Sequence, residues 1–189
     1  MSGKKDDMAV LFFNRATFRA AEEIFRFPSK TFHLRELARE TGLSKSATSQ
    51  AVSRLAAFRI VAVEKSDATT NIHADVESLA YSHYKLLFNL YRLFAHGLVE
   101  QLRQAFQPKA IVLFGSFARG EDFEQSDVDI CVLSDRRPTP ELQKLLHAQE
   151  ADLKRKISLH VLPSLQRSDA AFKNALANGI VLHGYLELA

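Results

Sequence analysis

Residues 110–133 read AIVLFGSFARGEDFEQSDVDICVL. The apolar run 111–114 is rich in β-branched and aromatic residues, and Gly115 ends it, so it predicts a short buried strand. A polar loop follows, and residues 126–133 then predict a second strand. This stretch therefore predicts two strands of one sheet, with polar residues gathered where they join.

The second predicted strand begins with two acids that alternate with apolar residues. Alternate side chains of a strand share a face, so Asp127 and Asp129 are predicted to project together while Val128 and Ile130 enter the core. Two carboxylates roughly 6–7 Å apart along one strand suit the shared binding of hard divalent cations. The pattern thus indicates a cation site at this strand.

The end of the first strand carries groups that suit a phosphate. The turn at Gly115 and Ser116 offers backbone N–H groups and a hydroxyl, and Arg119 adds a positive charge of fixed geometry. With the two acids, these residues predict a site for a nucleoside triphosphate and Mg²⁺. In the alternative interpretation Gly115 serves only a turn and the acids cap a solvated strand end.

The segments GSFARG and SDVD resemble the signature of the minimal nucleotidyltransferases of the polymerase-beta superfamily, Gly-Ser-x-Ala-Arg-Gly followed by Ser-Asp-x-Asp. That family transfers a nucleoside monophosphate from an NTP to an acceptor hydroxyl and releases pyrophosphate. The resemblance implies that Asp127 and Asp129 are catalytic and bind two Mg²⁺ ions. It also implies a nucleotide-binding set, which is Gly115, Ser116, Arg119 and Ser126.

The chain departs from the family pattern at one place. A third carboxylate is expected on the strand beside the acid pair, where it activates the acceptor hydroxyl. The predicted strand 157–162 has Ser158 and His160 at the candidate positions, and neither is an acid. A neutral His160 is able to accept a proton as a general base, or else it fills the strand face. Nucleotide binding is expected, and turnover is left open.

Composition limits the class of protein. The chain has 189 residues, of which 47% are hydrophobic and 25% charged, as in ordinary globular proteins. It has no uncharged run of 18 residues, and its first ten residues lack an apolar signal core, so a cytoplasmic protein without a membrane partner is expected. The single cysteine, Cys131, excludes an internal disulfide and is predicted to be core.

The N-terminal part predicts two short helices, 32–40 and 45–58, joined through Gly42, and a strand hairpin over 60–73. Residues 9–75 resemble a winged helix-turn-helix domain of the MarR/ArsR type, which implies double-stranded DNA as a partner. The second helix is predicted to have an inward stripe of four residues: Thr48, Ala51, Val52 and Leu55. Its outward face is the predicted contact, formed by Lys45, Ser46, Ser49, Gln50, Ser53 and Arg54. The alternative is a helical hairpin used for packing or dimerisation.

Residues 76–106 contain no proline and predict one long connecting helix. Its wide apolar face requires a partner, and a homodimer is expected through a stripe formed by Leu87, Tyr91, Phe94 and Leu98. Further predicted elements are helices over 139–155 and 165–177 and strands over 157–162 and 180–184. This order suits a small mixed sheet with helices on one face.

The predicted fold is therefore α+β, with a winged helix at 9–75, a connecting helix at 76–106 and a nucleotidyltransferase-like domain at 107–189. The first functional hypothesis is a DNA-binding regulator that binds Mg·NTP and transfers NMP to a protein or nucleic-acid hydroxyl. The alternatives are a transcription factor that only senses nucleotide, or an antitoxin-like module with the long helix as its partner surface.

Overall fold

The structure is a computed structural model that describes residues 14–65 and 69–187. The chain divides into two compact units, residues 1–85 and 86–189. The sequence pattern also predicts a solvated tail over 1–8 and a helix over 9–27. That tail, the start of that helix and the tip of the predicted hairpin lie outside the described residues.

The N-terminal unit contains three helices and a three-stranded sheet among its described residues. In the order α1-β1-α2-α3-β2-β3, the elements are Arg15–Arg26, Phe32–His33, Leu34–Thr41, Lys45–Ala57, Val61–Lys65 and Thr70–Ala74. The sheet is antiparallel with the order β1-β3-β2, and Ile72 of β3 pairs with Phe32 on one side and Val63 on the other.

Helix α3 begins where the sequence predicts it. Ser44 caps its first turn, since the Ser44 side chain accepts a hydrogen bond of 3.2 Å from the backbone N–H of Ala47. The predicted inward stripe is confirmed, because its four members are almost fully buried: Thr48, Ala51, Val52 and Leu55.

The prediction that a helix begins at Phe32 is wrong. Phe32 is 1% exposed and lies in the sheet, and His33 keeps an extended backbone. The helix starts at Leu34, where the His33 N–H donates to the Glu36 carboxylate. A buried position in the sheet thus overrides the helical periodicity of this segment.

The single connecting helix predicted for 76–106 is two helices, α4 (Leu79–Ala95) and α5 (Leu98–Phe106). Gly97 separates them with a left-handed backbone at φ 71°, and its N–H donates to the Phe94 carbonyl at 3.0 Å. Glycine adopts this conformation without the steric cost that a side chain carries, so it ends the helix although the segment contains no proline.

The helix break alters the predicted apolar stripe. Leu98 is fully buried in the core of the C-terminal unit, and its assignment to the stripe is wrong. Leu87, Tyr91 and Phe94 remain 40%, 50% and 55% exposed on α4. These three residues, spaced i, i+4 and i+7, are called the α4 stripe below.

The C-terminal unit is built on a four-stranded sheet. After α4 and α5, the order is β4-β5-α6-β6-α7-β7, with bounds Ala110–Phe114, Val128–Leu133, Pro140–Leu153, Ile157–Leu162, Ala170–Ala177 and Ile180–Gly184. The strand order in the sheet is β6-β5-β4-β7. Strands β5 and β6 are parallel and the other pairs are antiparallel, so the predicted mixed sheet is confirmed. Within 14–65 and 69–187, none of the helices has the length and apolarity of a transmembrane span.

Helices cover both faces of this sheet, and the prediction of helices on one face is wrong. On one face Ile111 and Leu113 of β4 pack with Leu102 of α5. On the other face Val112 of β4 packs with Leu176 of α7. Every residue of β4 is buried, so the strand is apolar on both sides and both sides require a cover.

The last predicted helix is shorter than expected. It begins at Ala170 and not at Leu165, because the Asp169 side chain accepts the N–H of Phe172 at 2.7 Å and caps the helix there. Cys131 is fully buried, as predicted, and burial raises the pKa of its thiol to about 11.

Candidate active site

The two predicted acids lie at the start of β5, the second strand of the sheet. Asp127 is exposed and directly precedes the strand, whereas Asp129 lies within it and is half-buried. Asp129 pairs with Phe114 of β4 and with Ser158 of β6. Val128, between the acids, is fully buried, so the predicted alternation between the cleft and the core is confirmed.

The electrostatics of Asp129 indicate a site suited to a cation. Burial raises the pKa of Asp129, and the negative charge of Asp127 raises it further, while His160 and a hydrogen bond from Ser158 act in the opposite direction. Two carboxylates that repel each other are stabilised by a shared cation. The described residues contain no group of three or more His, Cys, Asp and Glu side chains arranged as metal ligands.

This donor set fits Mg²⁺ that is bound together with a triphosphate. Mg²⁺ keeps several waters and is commonly held by one or two carboxylates plus substrate phosphates, without a full cage of protein ligands. Asp127 and Asp129 supply the hard oxygen ligands that such a site requires. They would therefore hold the ion, and the nucleotide would complete its coordination.

Gly115 directly follows β4 and lies beside Asp129 of the acid pair. Its backbone has φ 75°, a conformation that a side chain disfavours, and a Cβ atom at this position would collide with the Asp129 carboxylate. Glycine is thus required twice here, for the turn and for the close approach of β4 to the acid. The structure brings Gly115 and Asp129 together, as the sequence interpretation expects.

Ser116 leads into a short 3₁₀ turn, Phe117–Arg119, that is anchored by apolar contacts. Phe117 is 1% exposed and packs into the core of the unit. The Ser116 carbonyl accepts the N–H groups of Arg119 and Glu121 at 3.1 and 3.0 Å. The turn that carries the predicted phosphate-binding residues is therefore fixed by its own backbone and by the core beneath it.

Arg119 is exposed and pairs with Glu121, with 2.6 Å between Nε and Oε2. An ion pair between exposed side chains contributes only about 0–1 kcal/mol, because water and salt screen it. The guanidinium is therefore able to exchange this carboxylate for a phosphate at little cost.

Ser126 fixes the loop that delivers Asp127. Its hydroxyl accepts the backbone N–H of Phe123 at 3.0 Å, and its own N–H donates to the Phe123 carbonyl at 3.1 Å. This pair of bonds closes the loop one residue before the first acid. The role shown for Ser126 is to shape the loop, and its contact with nucleotide stays a prediction.

A buried polar network that the sequence interpretation missed holds this loop. Asn89 of α4 donates to the Phe117 carbonyl at 3.0 Å and to Asp122 Oδ1 at 2.8 Å. Arg155 lies 3.6 Å from Asp122 Oδ2, and all three polar residues are at most 6% exposed. The network joins α4, the entry to β6 and the turn over residues 115–119. This turn is called the phosphate turn below, after its predicted role. Its only sequence signal is Asn89, a polar residue within an apolar helical run.

Both candidate positions for the third carboxylate, Ser158 and His160, lie on β6. The parallel register places Ser158 directly beside Asp129, and the Ser158 hydroxyl acts to lower the pKa of that acid. Ser158 Oγ is also 3.2 Å from Nε2 of His160. The imidazole of His160 packs against the rings of Phe114 and Phe172, with centroids 5.6 and 5.4 Å away. His160 therefore fills the strand face and also contacts the site.

A cavity of about 710 Å³ opens beside Asp127 on the β6 side of the acid pair. Its walls are the loop before β5 and the turn between α6 and β6, and its lining residues include Glu124, Glu150, Lys154 and Lys156. A second substrate is able to approach the acids from this side.

The residues predicted to bind DNA lie elsewhere, in the N-terminal unit. All six are exposed on the outer face of α3: Lys45, Ser46, Ser49, Gln50, Ser53 and Arg54. The Arg54 side chain bonds to α1, with Nη1 donating to Thr17 Oγ1 at 3.4 Å. The Ser53 hydroxyl donates to the Ser49 carbonyl within α3.

Residues 96–182 match the nucleotidyltransferase domain family, and this span contains the phosphate turn, both acids and strand β6. The chain belongs to this family. No solved structure matches the chain.

Two curated relatives are similar to the chain. A Methanocaldococcus jannaschii protein named "Putative protein adenylyltransferase MJ1379" is 43% identical over 49 residues, which are 26% of this chain and 49% of that protein. The protein adenylyltransferase MntA of Thermococcus cleftensis is 38% identical over 81 residues, which are 43% of this chain and 72% of that protein. The chain thus spans about half of the first relative's length and most of the second's.

Proposed function

We propose that the C-terminal unit binds Mg·NTP and transfers NMP to a hydroxyl group of a protein. The observation that carries this proposal is the Asp127–Asp129 pair, in which Asp129 lies against Gly115 at the edge of the phosphate turn. The two relatives named as protein adenylyltransferases support ATP as the donor and a protein as the acceptor.

In this function the chain's own residues bind and orient the triphosphate. The backbone of Gly115 and Ser116 and the Arg119 guanidinium hold the phosphates, and Asp127 and Asp129 face the α-phosphate. Mg²⁺, when bound, supplies charge neutralisation for the leaving pyrophosphate. The network around Asp122 keeps the turn and the β6 strand at a fixed distance, which in-line transfer requires.

A second candidate function is nucleotide sensing without transfer. Ser158 favours it, because the position beside Asp129 carries no carboxylate to prepare an external nucleophile. The purified protein, incubated with labelled ATP, Mg²⁺ and cell lysate, distinguishes the two. Label on a discrete lysate protein supports transfer, whereas tight ATP binding without such label supports sensing.

We propose further that the N-terminal unit is a winged helix that binds double-stranded DNA through the outer face of α3. Its support is the order α1-β1-α2-α3-β2-β3 with the antiparallel sheet, and the exposure of all six predicted contact residues. Residues 41–60 contain Lys45, Arg54 and Arg59 and no acid, which suits a phosphate backbone.

Arg54→Ala is expected to weaken DNA binding by about 1–3 kcal/mol if Arg54 reads a guanine, with discrimination lost at one base pair. If Arg54 contacts only phosphate, the loss is expected to be equal for all sequences. Titrations of duplex DNA at several salt concentrations measure both. Lys144→Ala, which removes one exposed charge from α6, is the matched control, and wild-type affinity that does not fall with salt excludes DNA binding.

We also propose a homodimer in which the α4 stripe takes part. A winged helix commonly binds two half-sites through two-fold symmetry, and a stripe of three large exposed apolar residues needs a cover. Phe94→Glu is expected to shift the dimer to monomer in sedimentation equilibrium at roughly 10–50 µM. Val181→Glu, at an exposed apolar residue of β7, is expected to leave the dimer intact. A monomeric wild-type protein in this range would overturn the proposal.

A further inference from the structure

A hydroxyl group lies inside the candidate active site, at Ser158. Strands β5 and β6 are parallel and in register, so Ser158 and Asp129 are direct neighbours and their side chains lie on the same face of the sheet. A potential acceptor group therefore lies directly beside one of the two acids that are proposed to hold Mg·NTP.

A base lies within reach of this hydroxyl. His160 is two residues further along β6, on the same face, and its Nε2 is 3.2 Å from Ser158 Oγ. The rings of Phe114 and Phe172 restrain the imidazole from two sides. A hydroxyl within hydrogen-bond distance of a base, which a third group keeps in place, is the arrangement that activates a nucleophile.

The strand order places this hydroxyl on the side from which a nucleophile must come. The acids are on β5, the phosphate turn extends from β4 on one flank, and Ser158 lies on β6 on the other flank. In phosphoryl transfer the attacking and leaving oxygens are in line on opposite sides of phosphorus. A triphosphate held at the β4 flank thus leaves the β6 flank, and Ser158, for attack.

We propose that Ser158 is an internal acceptor, and that the chain nucleotidylates itself at this residue. This inference rests on the proposed binding of Mg·NTP. A bond forms between Ser158 Oγ and the α-phosphorus, the bond from that phosphorus to the oxygen bridging to the β-phosphorus breaks, and pyrophosphate leaves. The hydroxyl proton passes to Nε2 of His160. The product is a phosphodiester that links Ser158 to the nucleoside.

Two properties follow from the position of the acceptor. Each chain has one Ser158, so the reaction stops at one NMP per chain. The attached nucleotide also remains beside Asp129 and Gly115, where fresh nucleotide is expected to bind. A chain that carries the adduct should therefore bind fresh Mg·NTP at least about 10-fold more weakly than an unmodified chain, through direct competition for the site.

Incubation of the purified full chain with Mg²⁺ and each of ATP, GTP, CTP and UTP tests the proposal. Intact mass is expected to rise by one nucleotide group and no more. Trypsin cuts after Lys156 and Arg167, so the adduct should appear on the peptide ISLHVLPSLQR, which contains two serines. Ser158→Ala should remove the adduct, whereas Ser164→Ala, at an exposed serine of the same peptide, should leave it unchanged.

A calorimetric titration with each NTP separates this inference from the function on which it rests. NTP binding without any adduct overturns self-nucleotidylation and leaves the proposed nucleotide site in place. An adduct that persists in Ser158→Ala also overturns it. Absence of both binding and adduct overturns the proposed function and this inference together.

The role of His160 is tested with His160→Gln, which keeps a polar side chain of similar size. The rate of adduct formation is expected to fall by about 100-fold or more, as when a general base is removed, with NTP affinity unchanged. An unchanged rate would show that the proton leaves by another route and would overturn that part of the step.

Discussion

Asp127→Asn and Asp129→Asn are each expected to abolish Mg²⁺-dependent NTP binding, with a loss of affinity of at least about 100-fold. Loss of a residue that only orients a metal ligand already costs about 10–100-fold, and each of these changes removes a ligand charge itself. Asparagine keeps the volume of the side chain, so the geometry of β5 and the fit against Gly115 are retained. Calorimetry with Mg·ATP measures the loss.

The same variants should fold at least as well as the wild type, which separates lost binding from lost structure. The pKa of Asp129 is raised by burial and by Asp127, so its ionised form is less favourable in the folded chain than in the unfolded chain. A group with a raised carboxyl pKa lowers stability as pH rises through its unfolded and folded values. At neutral pH, removal of that charge is therefore expected to hold or raise the free energy of unfolding.

Asp135→Asn is the matched control for both variants. Asp135 is exposed in the segment after β5, so its replacement removes one negative charge near the same strand without touching the acid pair. NTP affinity should remain at the wild-type value. Unchanged affinity in both Asp127→Asn and Asp129→Asn would show that the acids do not hold the metal–nucleotide complex.

The sequence predicts the acid pair well because the signal is local. The alternation of acids with Val128 and Ile130 is set by the two-residue period of a strand, and a turn residue at Gly115 is set by backbone sterics. Both features hold in the structure, as does the inward stripe of α3, whose period is that of a helix. Each of these inferences needs only neighbours along the chain.

Features that depend on distant contacts could not be predicted in this way. Asn89 and Asp122 are 33 positions apart in the sequence, as are Asp122 and Arg155, so no periodicity relates them. Residues 154–156 form a basic run after α6, and charged side chains are mostly exposed, but Arg155 is buried beside Asp122. Phe32 reads as helical until β3 is placed next to it. These positions are decided by packing, which overrides local preference.

The break at Gly97 was predictable in principle. Glycine is the residue that most often ends a helix in the left-handed conformation, so the absence of proline from 76–106 is not sufficient to predict one helix. The same signal excludes Leu98 from the predicted stripe, because a residue after the break no longer follows the same helical period.

Asp122→Ala is expected to lower the free energy of unfolding of the C-terminal unit by about 3–5 kcal/mol. The change removes the carboxylate that both Asn89 and Arg155 contact, and it leaves the Arg155 charge buried without this compensation. Arg155 is 6% exposed, so water is largely unable to replace the lost partner. The midpoint and slope of urea unfolding, followed by circular dichroism, measure the change.

Glu121→Ala provides the contrast, because it breaks the neighbouring ion pair with Arg119, in which both side chains are more than half exposed. This loss is expected to be within about 1 kcal/mol, since solvent screens the pair and hydrates either partner alone. Equal effects of the two substitutions would contradict a structural role for the buried network.

The combined replacement Asp122→Leu with Arg155→Met should recover part of the stability lost in Asp122→Ala, because it removes the buried charge along with its partner. The recovered protein should still bind Mg·NTP more weakly, since the loop before Asp127 would lack the Asn89 bond that holds it.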